Sequence, residues 1–200
     1  MKKNIIIFGC GGHAKSIIDL IVSDKGWNIC GLVGFKNEKN KKILGYEVIG
    51  CDEDIISLRE KYEYCFNAIG QIKSSDKRLL LTSKLMDFDF KLPTIISPSA
   101  VISSFSRIGY GTSVGHSAVI NAATQIGNNC IINSKVLIEH DSKIGDFCHI
   151  STGALINGGV TIGEHSFIGS GAIIRENIEL PRGTIIGAGK TILHWPPILH

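Results

Sequence analysis

The sequence predicts a small α/β domain followed by a parallel β-solenoid. Before residue 95, short apolar runs alternate with segments of helical pattern, and a glycine-rich turn follows the first run. From Ile96 to Ile192 the chain instead repeats every six residues. The segment 92–95, near Pro93 and Pro98, is predicted to connect the two domains. We therefore predict a ligand-binding domain over 1–94 and a solenoid domain over 95–200.

The six-residue repeat runs without an insertion. Ile, Val or Leu occupies every sixth position, and a small or compact residue lies four places after most of these anchors. Such a period fits neither an amphipathic helix nor a flat strand, but it suits coils of three hexapeptides that each send one apolar residue inward. Residues eighteen apart should then stack in neighbouring coils. The tail from Leu193 to Pro197 should cap the open core or, through Trp195, form a subunit contact.

The first domain alternates strands with helices in a Rossmann-like pattern. Strands are predicted over 4–9, 27–33 and 64–69, and helices over 16–22, 52–61 and 75–86.

The glycine turn after the first strand, Gly9 to His13, is a predicted ligand site. Glycines let backbone N–H groups approach a ligand, and the following helix N-terminus favours a phosphate or another polar group. His13 could hydrogen-bond the ligand. A dinucleotide cofactor is disfavoured because Gly34-Phe35, without an acid, ends the second strand, and Glu38 comes late.

Composition narrows the function classes. A formal charge of +3 is too small to indicate nucleic acid, and no apolar span reaches membrane length. We therefore expect a cytoplasmic protein. The six cysteines have neither C-x-x-C nor zinc-ligand spacing, which predicts reduced thiols and no metal. Cys130 and Cys148 should stack within disulfide reach, but small residues suit that position and cytoplasmic thiols stay reduced.

Residues with acid–base chemistry cluster in two coils of the solenoid. His140 is followed by Asp141, and a carboxylate beside an imidazole orients the ring and stabilises its protonated form. Stacking places this pair between Ala122-Ala123 and Gly158-Gly159, which should leave room for a substrate. The same spacing of eighteen residues places His149 between Ile131 and Phe167. His140 and His149 need not meet within one chain.

His116 and His165 also lie at outward positions. We expect them to be surface or interface residues.

Several motifs resemble those of the left-handed β-helix sugar acetyltransferases, which include bacillosamine-type N-acetyltransferases and sialic acid O-acetyltransferases. The resemblance covers nearly the whole chain. It rests on the hexapeptide array and on the following segments: 9–15 (GCGGHAK), 43–46 (ILGY), 67–70 (NAIG), 138–141 (IEHD) and 149–151 (HIS).

The resemblance implies a homotrimer with acetyl-CoA in the groove between subunits. It implies that His140 is the general base, that Asp141 polarises it, that Asn133 helps to hold the acceptor and that His149 hydrogen-bonds near the thioester carbonyl. The sugar or nucleotide would occupy the first domain. The implied substrate-binding residues are Gly11, Gly12, His13, Phe35, Ile69, Gly70 and Asn133. The implied acetyl-CoA-binding residues are His149, Gly158, Ser170 and Ala188.

Two positions depart from the family pattern. Gly34-Phe35 stands where the family commonly has two aspartates, and Phe35 could stack on a base instead. The Gly-x-Pro-Ala sequence usual at the C-terminus is absent.

Three functions are therefore considered. The first is acetyl-CoA-dependent N-acetylation of a nucleotide-linked 4-amino sugar in surface glycan biosynthesis. The second is O-acetylation of sialic acid or another sugar hydroxyl. The third is a non-catalytic trimeric scaffold that senses a ligand.

Overall fold

The computed structural model describes residues 2–71 and 74–196 and divides into two compact units. The first unit comprises the residues up to Gly70 together with Asp76–Ile95. The second comprises Gln71–Ser75 together with the residues from Ile96 onward. The short segment 71–75 therefore belongs with the solenoid, although the chain around it belongs to the first unit.

The first unit is a five-stranded sheet with helices on both faces. The strand order is β3-β4-β2-β1-β5, and all neighbours are parallel except β3 and β4. The strands are β1 (Lys3–Phe8), β2 (Trp27–Gly34), β3 (Lys42–Ile43), β4 (Tyr46–Cys51) and β5 (Tyr64–Asn67). The helices are α1 (Gly12–Asp24), α2 (Ile55–Lys61) and α3 (Asp76–Asp87).

The central strand β1 is buried on both faces because its side chains alternate between two apolar clusters. Ile5 and Ile7 pack with the apolar face of α1, whereas Ile6 and Phe8 pack with α2 and α3. A strand covered on both sides is expected to be a continuous apolar run, as the sequence has here. The predicted alternation of strands and helices is confirmed.

The segment predicted as one helix over 52–61 is two elements. Asp52–Asp54 forms a 3-10 turn, and α2 begins only at Ile55. The carboxylate of Asp54 accepts a hydrogen bond from the backbone N–H of Cys51 at 2.9 Å. This bond stabilises the 3-10 turn ahead of α2, because the N–H of Cys51 has no partner within the helix.

The second unit is a solenoid with three parallel sheets, here named faces A, B and C. Face A contains β6 (Ile95–Ile96), β9 (Ser113–Val114), β12 (Ile131–Ile132), β15 (His149–Ile150), β18 (Phe167–Ile168) and β21 (Ile185–Ile186). Face B contains β7 (Val101–Ile102), β10 (Val119–Ile120), β13 (Leu137–Ile138), β16 (Leu155–Ile156), β19 (Ile173–Ile174) and β22 (Thr191–Ile192). Face C contains β8 (Arg107–Ile108), β11 (Gln125–Ile126), β14 (Lys143–Ile144), β17 (Thr161–Ile162) and β20 (Glu179–Leu180).

The predicted register of eighteen residues is confirmed in all three faces. On face B, Ile120 pairs with Ile138 and Ile138 with Ile156, and all three side chains are fully buried. The small residues between anchors fill the rest of the core. Cys130 and Cys148 are both free thiols there, each with its sulfur close to a backbone carbonyl. Layers of large and small side chains thus produce one continuous apolar column.

The tail after β22 places Trp195, half-buried, against this apolar column. That position agrees with the predicted cap. Pro197 and His200, which belong to the predicted second domain, lie outside the described residues. In the part of the chain that the structure describes, no helix is both long and apolar enough to cross a bilayer.

Candidate active site

The turn from face B to face C, the BC corner, carries the predicted acid–base pair. His140 Nδ1 lies 2.8 Å from Asp141 Oδ2, and about two thirds of each side chain is exposed, 66% and 67%. Asp141 has a left-handed backbone with φ of 61°, which turns its carboxylate back toward the preceding ring. Because Nδ1–H donates to the carboxylate, Nε2 of the neutral ring is left as the basic nitrogen.

The prediction that Gly158 leaves empty space beside His140 is wrong. A Cβ built on Gly158 would lie 2.8 Å from Cε1 and 2.9 Å from Nε2 of His140. The imidazole itself therefore occupies the space that the missing side chain leaves. The glycine sets where the base lies, because any larger residue would displace the ring.

A second carboxylate lies next to this pair. Glu139 Oε2 accepts a hydrogen bond of 2.7 Å from the side-chain amide of Asn121, its stacking partner one coil earlier. The BC corner therefore carries a carboxylate on each sequence neighbour of the imidazole, which suits a cationic or hydroxyl-bearing ligand.

His149 has a different environment on face A. Its ring is 9% exposed, stacks between Ile131 and Phe167 as predicted, and meets the Phe167 ring edge to face at 5.1 Å. Nδ1 contacts the carbonyl oxygen of Gln71, and Nε2 lies 3.0 Å from Asn133 Nδ2. A carbonyl requires a donor at Nδ1 and an amide N–H requires an acceptor at Nε2, so both nitrogens of the neutral ring are engaged.

The remaining predicted solenoid residues line the turn from face A to face B, the AB corner. Asn133 is half-buried there, while Ser170 and Ala188 are exposed and lie at equivalent positions in adjacent coils. Ser170 Oγ lies 2.8 Å from Ser151 Oγ. The predicted solenoid residues therefore fall into two sets at different corners of one chain. At the BC corner, His140 contacts both Asp141 and Gly158. Beside the AB corner, Asn133 contacts His149, and later coils of that corner carry Ser170 and Ala188.

His116 and His165, predicted to be surface or interface residues, are partly buried and each makes a hydrogen bond within the chain. His116 Nδ1 lies 2.7 Å from Ser97 Oγ. His165 Nδ1 lies 2.7 Å from Ser75 Oγ, and its ring stacks on Phe147 with centroids 5.6 Å apart. Their hydrogen bonds and packing are structural.

In the first unit, the predicted ligand residues follow the carboxyl ends of three adjacent strands. Gly11, Gly12 and His13 follow β1, Phe35 follows β2, and Ile69 and Gly70 follow β5. Since β1 lies between β2 and β5, the three ends meet at one edge of the sheet. Helix α1 packs on one face and α2 and α3 on the other, so this edge is where the winding reverses. Such an edge is the usual binding crevice of an open α/β sheet.

The glycine turn itself is shaped by a close approach. Gly9 has φ of 124°, and a Cβ there would lie 3.0 Å from the carbonyl oxygen of Ala68. Gly70 contacts His13 closely enough that a Cβ would lie 3.4 Å from His13 Cβ. The turns after β1 and β5 are therefore packed together, while Gly11 and Gly12 stay exposed at the start of α1.

Glu38 lies closer to the end of β2 than its position in the sequence predicts. Its carboxylate turns back to the end of β2 and accepts a hydrogen bond of 2.8 Å from the backbone N–H of Phe35. The 3-10 turn Lys36–Glu38 produces this return. Periodic patterns in the sequence do not predict the position of this carboxylate, because it depends on a short irregular turn.

A groove of about 540 Å³ follows face C of the solenoid and includes Arg107, Gln125 and Lys143. None of the predicted site residues lines it. Among residues 2–71 and 74–196, no group of three or more His, Cys, Asp or Glu side chains is placed to hold a metal ion.

Comparison with known proteins places this geometry in a family. Residues 4–78 match the PglD N-terminal domain, and residues 123–158 match the bacterial transferase hexapeptide family. Perosamine N-acetyltransferase from Caulobacter crescentus, solved with CoA and GDP-perosamine as a mutant with one histidine replaced by asparagine, is 33% identical. The match covers 96% of this chain and 89% of that chain with a TM-score of 0.89. The chain belongs to the left-handed β-helix sugar acetyltransferases.

A second relative agrees. The acetyltransferase domain of PglB from Neisseria gonorrhoeae is 28% identical, with 98% of this chain and 94% of that chain covered and a TM-score of 0.88. The same domain in complex with acetyl coenzyme A gives a TM-score of 0.85, again at 28% identity, with 96% of this chain and 93% of that chain covered. A search of curated proteins gave no match.

Membership of this sugar acetyltransferase family confirms three predictions: the family itself, the fold class and the acetyl-CoA-dependent enzyme class. It also explains why the two units occur together, since the matches to both relatives span both. The roles of individual residues remain predictions.

Proposed function

We propose that this sugar acetyltransferase transfers the acetyl group of acetyl-CoA to the amino group of a nucleotide-linked 4-amino sugar, with His140 as general base. The observation that carries the proposal is the exposed His140–Asp141 pair, whose Nδ1 is bound to the carboxylate and whose Nε2 is left basic. The relative that was solved with GDP-perosamine supports a nucleotide-linked sugar.

The base has a defined task in this reaction. An amine that attacks a thioester carbonyl must lose a proton as the N–C bond forms and the C–S bond breaks. His140 Nε2 accepts that proton, and Asp141 stabilises the charged ring. The proton then passes to the departing thiolate. Direct transfer of this kind needs no covalent enzyme intermediate, because the two substrates are held side by side.

The AB corner suits the donor. Acetyl-CoA supplies an activated thioester at the end of a long, narrow chain. Ser134, Thr152, Ser170 and Ala188 occupy equivalent positions in successive coils of this corner. Their small side chains leave an open strip along the solenoid, where backbone and hydroxyl groups can hydrogen-bond an extended ligand. Asn133 and His149 lie at the end of this strip.

Thiol release with a panel of acceptors tests the proposed function. We expect release with acetyl-CoA and nucleotide-linked 4-amino sugars, and little with free sialic acid. Turnover with sialic acid but with none of the amino sugars would favour O-acetylation instead. Ligand binding without any thiol release would favour the scaffold.

We further infer that the cytoplasmic enzyme works as a homotrimer, because one chain places its base and its donor strip on different corners. A neighbouring copy that brings its AB corner to the BC corner of the first would complete the site. Cyclic symmetry would then produce three equivalent sites, each built from two subunits.

Complementation between inactive variants tests this arrangement. We expect His140→Ala and Asn133→Ala each to have low activity alone. Co-expressed in equal amounts, they should form hybrid trimers that each contain one intact site of three, and recover about a quarter of the wild-type rate. No recovery in verified hybrids would mean that both residues act within one chain.

A further inference from the structure

We propose that Glu38 recognises the nucleoside part of the substrate by accepting hydrogen bonds from it. The inference rests on the proposed nucleotide-linked substrate. It concerns the edge of the first unit where β1, β2 and β5 end.

The carboxylate of Glu38 lies beside Gly34 at the end of β2. Gly34 is the last residue of β2, and a Cβ built on it would lie 2.7 Å from Glu38 Oε2 and 2.5 Å from Cys10 Sγ. The missing side chain of Gly34 therefore makes the space that Glu38 fills. The fold thus delivers an acid to the end of the second strand, although the sequence has none there. A carboxylate at this place commonly binds the ribose in nucleotide-binding α/β folds.

One backbone donor and one thiol flank the carboxylate. The backbone N–H of Phe35 donates to Oε2 at 2.8 Å from the β2 side. The thiol of Cys10, in the glycine turn after β1, lies on the other side, since a Cβ built on Gly34 would be near both groups. Burial and the charge of Glu38 raise the pKa of Cys10 to about 11, so the thiol stays protonated at neutral pH.

The carboxylate also keeps capacity for a ligand. It can accept about four hydrogen bonds, and the backbone N–H of Phe35 provides one. The neighbouring lysines point their charges elsewhere: Lys36 pairs with Glu53 at 3.1 Å, and Lys39 pairs with Asp54 at 3.4 Å. Glu38 is therefore positioned to receive further donors.

The ligand chemistry follows from the neighbouring groups. The ring of Phe35 is 78% exposed beside the carboxylate and offers a stacking surface for a base. The glycine turn next to it suits a diphosphate. Between a stacked base and a diphosphate, the donors available to a carboxylate are the ribose hydroxyls and the N–H groups of the base edge.

Nucleotide binding by the full-length protein tests the inference. We would titrate GDP, UDP, CDP and ADP into the wild type by calorimetry, and then the preferred nucleotide into Glu38→Gln and the control Glu47→Gln. Glu47 is an exposed carboxylate on β4, at the far side of β2 from the glycine turn. Glutamine can still accept the Phe35 N–H bond, so the turn should be retained.

We expect Glu38→Gln to lower the affinity for the nucleotide about tenfold or more, because hydrogen bonds to a charged group are strong. Affinity for inorganic pyrophosphate should not change.

Two analogues separate the possible donors. The 2′-deoxy form of the preferred nucleotide removes a ribose hydroxyl, and an N-methylated base removes an N–H. The analogue that lacks the relevant donor should bind the wild type more weakly than the parent nucleotide does. Glu38→Gln should no longer distinguish the two.

A second variant and a chemical readout keep the test independent of one substitution. Gly34→Ala should displace the carboxylate and weaken the nucleotide in the same way. In Glu38→Gln the pKa of Cys10 should fall, because a negative charge is lost, and alkylation of Cys10 near pH 9 should become faster.

Three results would overturn the inference. The first is wild-type affinity of Glu38→Gln for the preferred nucleotide, which would leave the proposed function intact. The second is an equal loss in Glu47→Gln or for pyrophosphate, which would indicate a general effect on the fold. The third is a wild type that binds none of the four nucleotides, which would overturn the nucleotide-linked substrate as well.

Discussion

His140 and His149 belong to the same array of hexapeptides, yet their surroundings differ in every respect that matters for proton transfer. His140 lies in an exposed turn beside the carboxylate of Asp141. His149 lies on a strand, 9% exposed, between a backbone carbonyl and the amide of Asn133. A carboxylate stabilises a protonated imidazole, whereas a carbonyl and an amide hold a ring in one orientation without adding charge. The pair at the corner therefore suits proton transfer, and the contacts on the face fix the position of His149.

The comparison predicts its largest effect at the corner. His140→Ala should lower kcat by about 10² to 10⁴, since a general base contributes that much. Size-exclusion elution and acetyl-CoA affinity should stay at wild-type values. His194→Ala, an exposed histidine of the tail, is the matched control and should leave kcat unchanged. Near-normal turnover in His140→Ala would refute the assigned base.

At the face, substitution should reduce stability instead. His149→Ala removes a buried ring and leaves Asn133 and a backbone carbonyl without that partner, which should cost about 2 to 3 kcal/mol of unfolding free energy. Urea denaturation measures the loss, with His140→Ala as the comparison, expected within about 0.5 kcal/mol of wild type. An equal loss of unfolding free energy in His149→Ala and His140→Ala would contradict the structural difference between the two histidines.

Gly158→Ala tests whether the glycine sets the position of the base. The added Cβ would meet the His140 ring at 2.8 Å, so the ring must move. We expect kcat to fall about 10- to 100-fold, the effect of misplacing a catalytic group by about an ångström. Ala122→Gly, on the opposite side of the ring, should retain the wild-type rate. A fully active Gly158→Ala would show that the base tolerates displacement.

The smallest effect is expected for Asp141→Asn. Asparagine keeps an oxygen for Nδ1–H but loses the charge, and an exposed ion pair contributes only about 0.5 to 1 kcal/mol. We expect a two- to fivefold lower kcat at low salt, with about 1 M salt closing the gap because it screens exposed charges. A much larger loss, insensitive to salt, would mean that Asp141 acts in a closed site.

Much of the solenoid could be predicted because its structure is periodic. The six-residue spacing predicts which side chains point inward, and the stacking of residues eighteen apart predicts the neighbours of His140 and His149. Spacing carries no information on side-chain rotamers. For that reason the sequence predicted empty space at Gly158, where the structure has the His140 ring.

The first unit was less predictable, since its site depends on irregular segments. The strands and helices follow from apolar runs and helical spacing. The return of Glu38 to Gly34 depends on a 3-10 turn. In the solenoid unit, the contact of Gln71 with His149 likewise joins residues far apart in sequence. Neither leaves a pattern in the composition or spacing of the chain.

The unbroken register of the solenoid also limits how this chain can change in length. Each coil repeats its neighbour at an interval of eighteen residues, so an added or deleted block of that size leaves every other coil in step. A single-residue insertion between Asn133 and His140 would instead rotate each later anchor out of the core. The register therefore tolerates a change in the number of coils more readily than a change in the length of one coil.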